Sequence, residues 1–130
     1  MEIDNNGNVY ILGYNLYFIT IKYNNSGTME WVRKYKDPTN FFADVASDMV
    51  LDDSGNVYIT GFTYTGNPSP YKKEIVIIKY STNGDTLWTN RFINQDSIEC
   101  KSNKILFNNS NSVIVTGQCT FHEYSRSITI

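Results

Sequence analysis

The chain has 130 residues and a net charge of −2, from 11 basic and 13 acidic side chains. That is the size of one ordinary domain, and so even a balance gives no long-range attraction toward nucleic acid or an anionic membrane surface. No apolar run reaches the ~18 residues a membrane helix needs, so no membrane insertion is expected. The start, Met1-Glu2-Ile3-Asp4, lacks the basic-then-apolar order of a signal peptide.

Aromatic residues make up 15 %, mostly 10 Tyr and 7 Phe, and Asn and Gly cluster, which favours strands and tight turns over helices. In chain order, the turn signal Asp4-Asn5-Asn6-Gly7-Asn8 precedes an extended run, Val9 to Gly13. Ile21-Lys22-Tyr23-Asn24-Asn25-Ser26-Gly27 then leads to Trp31. The next stretch reads as four short strands. Strand one is Met49-Val50-Leu51, and a turn at Ser54-Gly55-Asn56 feeds strand two, Val57 to Gly61. Strand three is Ile75 to Tyr80, apolar enough to be covered on both faces, and Asn83-Gly84 marks a hairpin into strand four, Thr86 to Phe92. In strand four Trp88, Asn90 and Phe92 alternate with Thr89 and Arg91.

These segments repeat. Asp4 to Gly13 recurs as Asp52-Asp53-Ser54-Gly55-Asn56-Val57-Tyr58-Ile59-Thr60-Gly61, and in worn form as Asn108 to Gly117, at offsets of 48 and 56 residues. Ile21-Lys22-Tyr23 recurs as Ile78-Lys79-Tyr80, and both Trp31 and Trp88 stand four residues after a Gly. A third copy of that block would begin at Ile128-Thr129-Ile130. Four strands in a period near 50 residues are the mark of propeller blades. The expected fold is therefore all-β: a single β-propeller segment over 1–130 of about two and three-quarter four-stranded blades, roughly 1–40, 45–95 and an incomplete 100–130. A β-sandwich of short strands would give no reason for the repeat. Closed propellers have roughly 4–8 blades, so the expected partners are the remaining blades of the same chain, or copies of itself, closing a ring.

The Asp52 to Gly61 motif, with Ile78-Lys79-Tyr80, Asn83-Gly84 and Leu87-Trp88, resembles the seven-bladed β-propeller repeat (SBBP) family over almost the whole chain. The Gly-x-x-x-Trp spacing is more distantly similar to the quinoprotein (PQQ-like) repeat. The first resemblance implies a bacterial secreted or cell-surface protein, an extracellular location and no particular ligand.

Candidate site residues are few. Trp31 and Trp88 could stack a ligand, but equal placement in successive units suits packing between blades, with each indole N–H on a buried partner. Asp4, Asp52 and Asp53 suit turn capping better than a calcium loop, which would need more oxygens and a terminal Glu. Asp44, Asp48 and Asp52 recur at intervals of four, yet their third-copy counterparts are Cys100, Lys104 and Asn108. His122, the sole histidine, has no Cys or His cluster around it and reads as a loop residue. Arg33 and Arg126 read as surface charges.

Cys100 and Cys119 are candidates for a disulfide. A third-unit hairpin centred on 109–112 pairs residues whose numbers sum to 220 or 221, against 219 for the two cysteines. That places them nearly opposite, and free thiols are the alternative. Tyr64 to Lys73 is the longest insertion, a candidate binding loop with Tyr64, Tyr71, Lys72 and Lys73 as its contact residues.

No catalytic residue, metal ligand or cofactor site is expected. The reading is a non-enzymatic repeat scaffold that binds protein or glycan. The alternative is part of a propeller enzyme of hydrolase, lyase or quinoprotein type whose catalytic groups lie in other blades.

Overall fold

The computed structural model describes residues 1–39, 42–65, 71–108, 112–121 and 125–130. Eleven strands run in chain order: β1 (Glu2–Ile3), β2 (Val9–Tyr14), β3 (Phe18–Tyr23), β4 (Met29–Tyr35), β5 (Val45–Leu51), β6 (Val57–Thr65), β7 (Lys72–Tyr80), β8 (Thr86–Phe92), β9 (Glu99–Asn108), β10 (Ser112–Thr120) and β11 (Ser125–Thr129). No helix occurs among the described residues. The first sheet is the meander β1-β2-β3-β4. The second joins two more antiparallel meanders, β5-β6-β7-β8 and β9-β10-β11, through one parallel rung, Lys73 opposite Glu99. Residues 9–13 and 57–61 thus lie in different sheets.

The turns follow from side-chain chemistry. Asp4 Oδ1 accepts the backbone N–H groups of Asn6 and Asn8 at 2.9 Å each, while Oδ2 accepts Asn8 Nδ2 at 2.8 Å and the Tyr10 hydroxyl at 3.2 Å. Asp52 repeats the set with Ser54, Asn56 and Tyr58, at 3.0, 2.8, 2.8 and 3.2 Å. The aspartate fixes the turn, and Gly7 and Gly55 supply the positive φ, 80° and 76°, that the chain needs to reverse.

A second repeated device bends the inner strands. The β5–β6 register shifts between Ala46 and Asp48, and the β9–β10 register shifts at Thr116/Gly117. Each bulge brings backbone against a glycine: a Cβ on Gly61 would lie 2.3 Å from Val45 O, and one on Gly117 2.2 Å from Lys101 O. Glycine at these places follows from that close approach.

Two cores lie between the units. Tyr10, Phe18 and Trp31 from the first meander share one cluster with Met49, Val57, Ile59, Val76, Ile78 and Tyr80 of the second. On the opposite face of the second meander, Tyr58, Ile75 and Ile77 share the other cluster with Cys100, Ile105, Val115 and Cys119 of the third. Strand three of the second unit is therefore covered on both sides, with Ile75, Val76 and Ile78 fully buried and Ile77 8 % exposed. Burial of each apolar side chain of this size stabilises the fold by roughly 1.5–3 kcal/mol.

The strands differ from expectation at their ends. Strand one of the second unit begins at Val45 rather than Met49, and strand two runs to Thr65 rather than stopping at Gly61. Gly61 reads as a strand end in sequence, but here it sits mid-strand opposite the bulge, and Phe62 to Thr65 continue the β-forming run. Strand four, Thr86 to Phe92, stands where expected.

Candidate functional site

Much of the expected binding loop is strand. Tyr64 pairs with Lys73 and Thr65 with Lys72 across β6 and β7, so three of the four named contact residues sit on a rigid hairpin and Tyr71 flanks it. Residues 66–70 of the insertion lie outside the described residues. The lysines are also engaged. Lys72 Nζ donates to Gln95 O at 2.8 Å, and Lys73 Nζ lies 2.5 Å from Glu99 Oε2, bridging the rung that joins the second and third meanders. Burial alone would lower the Lys73 pKa, but the Glu99 carboxylate outweighs it and the net shift is upward. Glu99 shifts the other way, its burial offset by Lys73 and Lys101.

The aromatic rings here form a shelf that sequence reasoning did not assemble. Phe42, in the connection between β4 and β5, packs its ring 4.9 Å from Tyr64 and edge-on at 4.7 Å from Tyr71. Phe62 lies 6.2 Å from Tyr64, and Lys73 Nζ sits 5.5 Å over the Phe62 ring and 5.3 Å over Tyr64. Phe42 and Tyr71 are each 41 % exposed, so the shelf presents flat apolar surface with cations at its border. The one sequence signal for Phe42 was the Phe41-Phe42 pair in an otherwise polar connection.

Beneath the shelf a buried polar group ties the first two units together. Asp44 Oδ2 accepts Asp37 N–H at 2.8 Å and Oδ1 accepts the Thr63 hydroxyl at 2.6 Å. Arg91 reaches back from β8 to place Nη1 2.5 Å from Asp37 Oδ2 and donates through Nη2 to the Tyr35 hydroxyl at 2.9 Å. Burial would raise the Asp37 pKa, but hydrogen bonds from Thr39 and the Arg91 guanidinium hold it below the usual carboxylate range. Every one of these polar contacts is local or between units, as a joint requires.

The remaining candidates resolve into separate structural tasks. Trp31 donates Nε1–H to Thr82 O of the second unit at 3.1 Å. Arg33 donates Nε–H to Gly84 O at 2.5 Å, so it is an inter-unit clamp rather than a surface charge. Asp44, Asp48 and Asp52 do not act together: Asp48 Oδ2 accepts Ile105 N–H of the third unit at 3.0 Å, whereas Asp52 caps its own turn. His122 lies outside the described residues. Arg126 is exposed and lies on β11 opposite Cys119.

Cys100 and Cys119 face each other across β9 and β10 and are joined by a disulfide, with their Cα atoms 4.1 Å apart. The bulge explains the offset seen in the numbering. From Ser112 to Thr116 the paired numbers sum to 220, and beyond the register shift to 219, the value of the two cysteines.

On the opposite end of the meanders, a polar cleft of about 260 Å³ lies between the Asp4 and Asp52 turns, lined by Glu2, Asn5, Asp53, Ser54 and Thr82 among others. The Asp4 and Asp52 carboxylates are spent on their own turns, and no group of three or more His, Cys, Asp or Glu suited to a metal ion occurs among the described residues.

The geometry defines an all-β protein of face-stacked antiparallel meanders with an exposed aromatic shelf at one end. Compared with models of known protein families and with curated proteins, the chain matches none.

Proposed function

We propose that this chain is a β-propeller repeat segment of the kind its motifs resemble, a non-enzymatic scaffold in a secreted or cell-surface protein, and that it offers the Phe42, Tyr64 and Tyr71 shelf to protein or glycan. The observation that carries the scaffold reading is a duplicated aromatic pair on the face that each of the first two units turns toward the next. The Tyr10–Trp31 ring pair (6.1 Å, 64°) recurs as Tyr58–Trp88 (6.0 Å, 65°), each beneath the next unit. Repetition of the covering face is what stacked repeats require, since each sheet needs a neighbour to cover it. Further blades, or copies of the chain, complete the ring in this reading. The disulfide is compatible with an extracellular location.

Exposed, pre-ordered aromatic rings favour contact with the flat apolar faces of sugars or with a partner's side chains, because little freedom is lost on binding. Affinity electrophoresis of the chain through gels holding soluble neutral β-glucans tests the glycan arm. Retardation that disappears in Phe42→Ala/Tyr71→Ala supports it. Equal mobility of both chains in every gel removes the glycan arm and leaves protein contact.

A further inference from the structure

Asparagine followed by glycine is a chemically fragile dipeptide, because no side chain on the glycine hinders attack of its amide nitrogen on the asparagine side chain. The sequence holds two such pairs, Asn6-Gly7 and Asn83-Gly84. Both stand in tight turns with the glycine at positive φ, 80° and 83°. Both glycine N–H groups are bonded within the turn, Gly7 to Asp4 O at 3.0 Å and Gly84 to Ser81 O at 2.8 Å. In sequence and in turn geometry the two pairs are alike.

Their surroundings differ. Gly7 is exposed, and Asn6 O accepts Asn25 Nδ2 of its own unit at 3.2 Å. Gly84 is buried although Asn83 is exposed. A Cβ on Gly84 would lie 2.9 Å from Trp31 Cδ2 and 3.0 Å from Arg33 Cζ. Arg33 donates through Nε to Gly84 O at 2.5 Å and through Nη2 to Asn83 O at 3.4 Å. Trp31 Nε1 and Lys22 Nζ donate to Thr82 O at 3.1 and 3.2 Å. Three consecutive carbonyls of this turn, from Thr82 to Gly84, are thus held by side chains of the first unit.

We propose that Asn6 is a site of spontaneous deamidation, and that the joint between the first two units withholds Asn83 from the same reaction. In the step, the Gly7 amide nitrogen gives up its proton and bonds to Asn6 Cγ. The Cγ–Nδ2 bond breaks, and Nδ2 leaves as ammonia with that proton. Water then opens the cyclic imide at either carbonyl, giving aspartate or isoaspartate and one added negative charge. The added charge falls in the polar cleft that Asn6 lines with Glu2 and Asp53. Attack requires the glycine N–H to leave its acceptor and the peptide plane to turn toward the side chain. At Asn6 this is the opening of an exposed turn, which belongs to the least costly kind of local opening. At Asn83 it also requires release of the Arg33 grip and movement of Gly84 away from Trp31.

Peptide mapping by mass spectrometry of the full chain, aged in mildly alkaline buffer, tests the proposal. The same chain aged in guanidinium chloride gives the intrinsic rate of each site. Relative to those rates, Asn83 of the folded chain is expected to convert about tenfold or more slowly than Asn6. Arg33→Ala is expected to raise the Asn83 rate and leave the Asn6 rate unchanged. Arg33→Lys, which keeps the charge and loses the grip on two carbonyls, serves if the alanine variant does not fold. Equal relative rates at the two sites of the folded chain would overturn the proposal, as would an unmodified Asn6 after the time in which it converts fully in denaturant. A folded Arg33 variant that leaves Asn83 as slow as before would also overturn it. So would one that speeds both sites alike, because unfolding of the whole chain would then set the rate.

Discussion

Trp31 donates its indole N–H across the unit boundary to Thr82 O at 3.1 Å, while its ring packs between Tyr10 and Tyr80. One side chain thus fills the inter-unit core and fixes the position of the next unit's hairpin. Trp31→Phe removes the hydrogen bond and part of the ring, and is expected to cost about 2–4 kcal/mol. Trp88→Phe is expected to cost less, because Trp88 is only half-buried. Urea unfolding of the two variants measures the difference; equal losses would contradict an inter-unit role for Trp31.

The disulfide occupies a position that the second unit fills differently. Asp44 and Thr63 lie 56 residues before Cys100 and Cys119, one rung beyond Val45–Phe62, and join through a 2.6 Å hydrogen bond. Cys100→Ala/Cys119→Ala is expected to lose about 3 kcal/mol, the loop-closure value for a separation of 19 residues. Asp44→Cys/Thr63→Cys is expected to form a second disulfide in the same register. Thiol titration of denatured, non-reduced protein should then find no free thiol; two titratable thiols would show that the two rungs are not equivalent.

Thr20 is fully buried, and its hydroxyl is without a hydrogen-bond partner among the described residues. It lies on the buried row of β3 between Phe18 and Lys22, facing the second unit. Thr20→Val keeps the shape and removes the desolvated hydroxyl, so it is expected to raise stability by about 1 kcal/mol. A loss of stability in thermal or urea melts would mean that the hydroxyl is satisfied.

Tyr80 and Asp37 are among the groups whose shifts bear on the pH limits of the fold. Burial pushes the Tyr80 hydroxyl up to about 12, against about 10 in an unfolded chain. Its contribution is therefore intact below pH ~10 and is lost as pH rises toward the folded value. Asp37 is shifted down, so its contribution is present above the unfolded carboxylate value of about 4 and is lost as pH falls below it. Melting temperatures recorded across both ranges should fall at each end. Tyr80→Phe should make the alkaline limb shallower and leave the acidic limb as it is, and Asp37→Asn should do the reverse.

What was legible in the sequence was whatever local chemistry repeats. The Asp4 and Asp52 turns, the Thr86–Phe92 strand and the doubly covered apolar strand at Ile75–Ile78 follow from turn residues and periodicity. The near-opposition of Cys100 and Cys119 could be read from the hairpin, but the single-residue shift that completes it comes from a bulge no local pattern announces. Gly61 looked like a strand end, and the backbone that crowds it comes from Val45 and Ala46 on the neighbouring strand. The aromatic shelf was missed because Phe42 meets Tyr64 and Tyr71 only after the β4–β5 connection folds over the hairpin. Arg33 looked free for the same reason: its partner Gly84 lies 51 positions along the chain.

Face-to-face stacking of the first two units is tested most directly at Phe18 and Gly61, where the ring Cζ lies 2.5 Å from the place a Gly61 Cβ would occupy. Nuclear Overhauser measurements on the labelled chain should give strong cross-peaks between the Phe18 ring and the Gly61 α-protons. They should give no strand-type backbone contacts between residues 9–13 and 57–61. Backbone cross-peaks linking those two stretches as neighbours in one sheet, with the Phe18 to Gly61 peaks absent, would contradict the account.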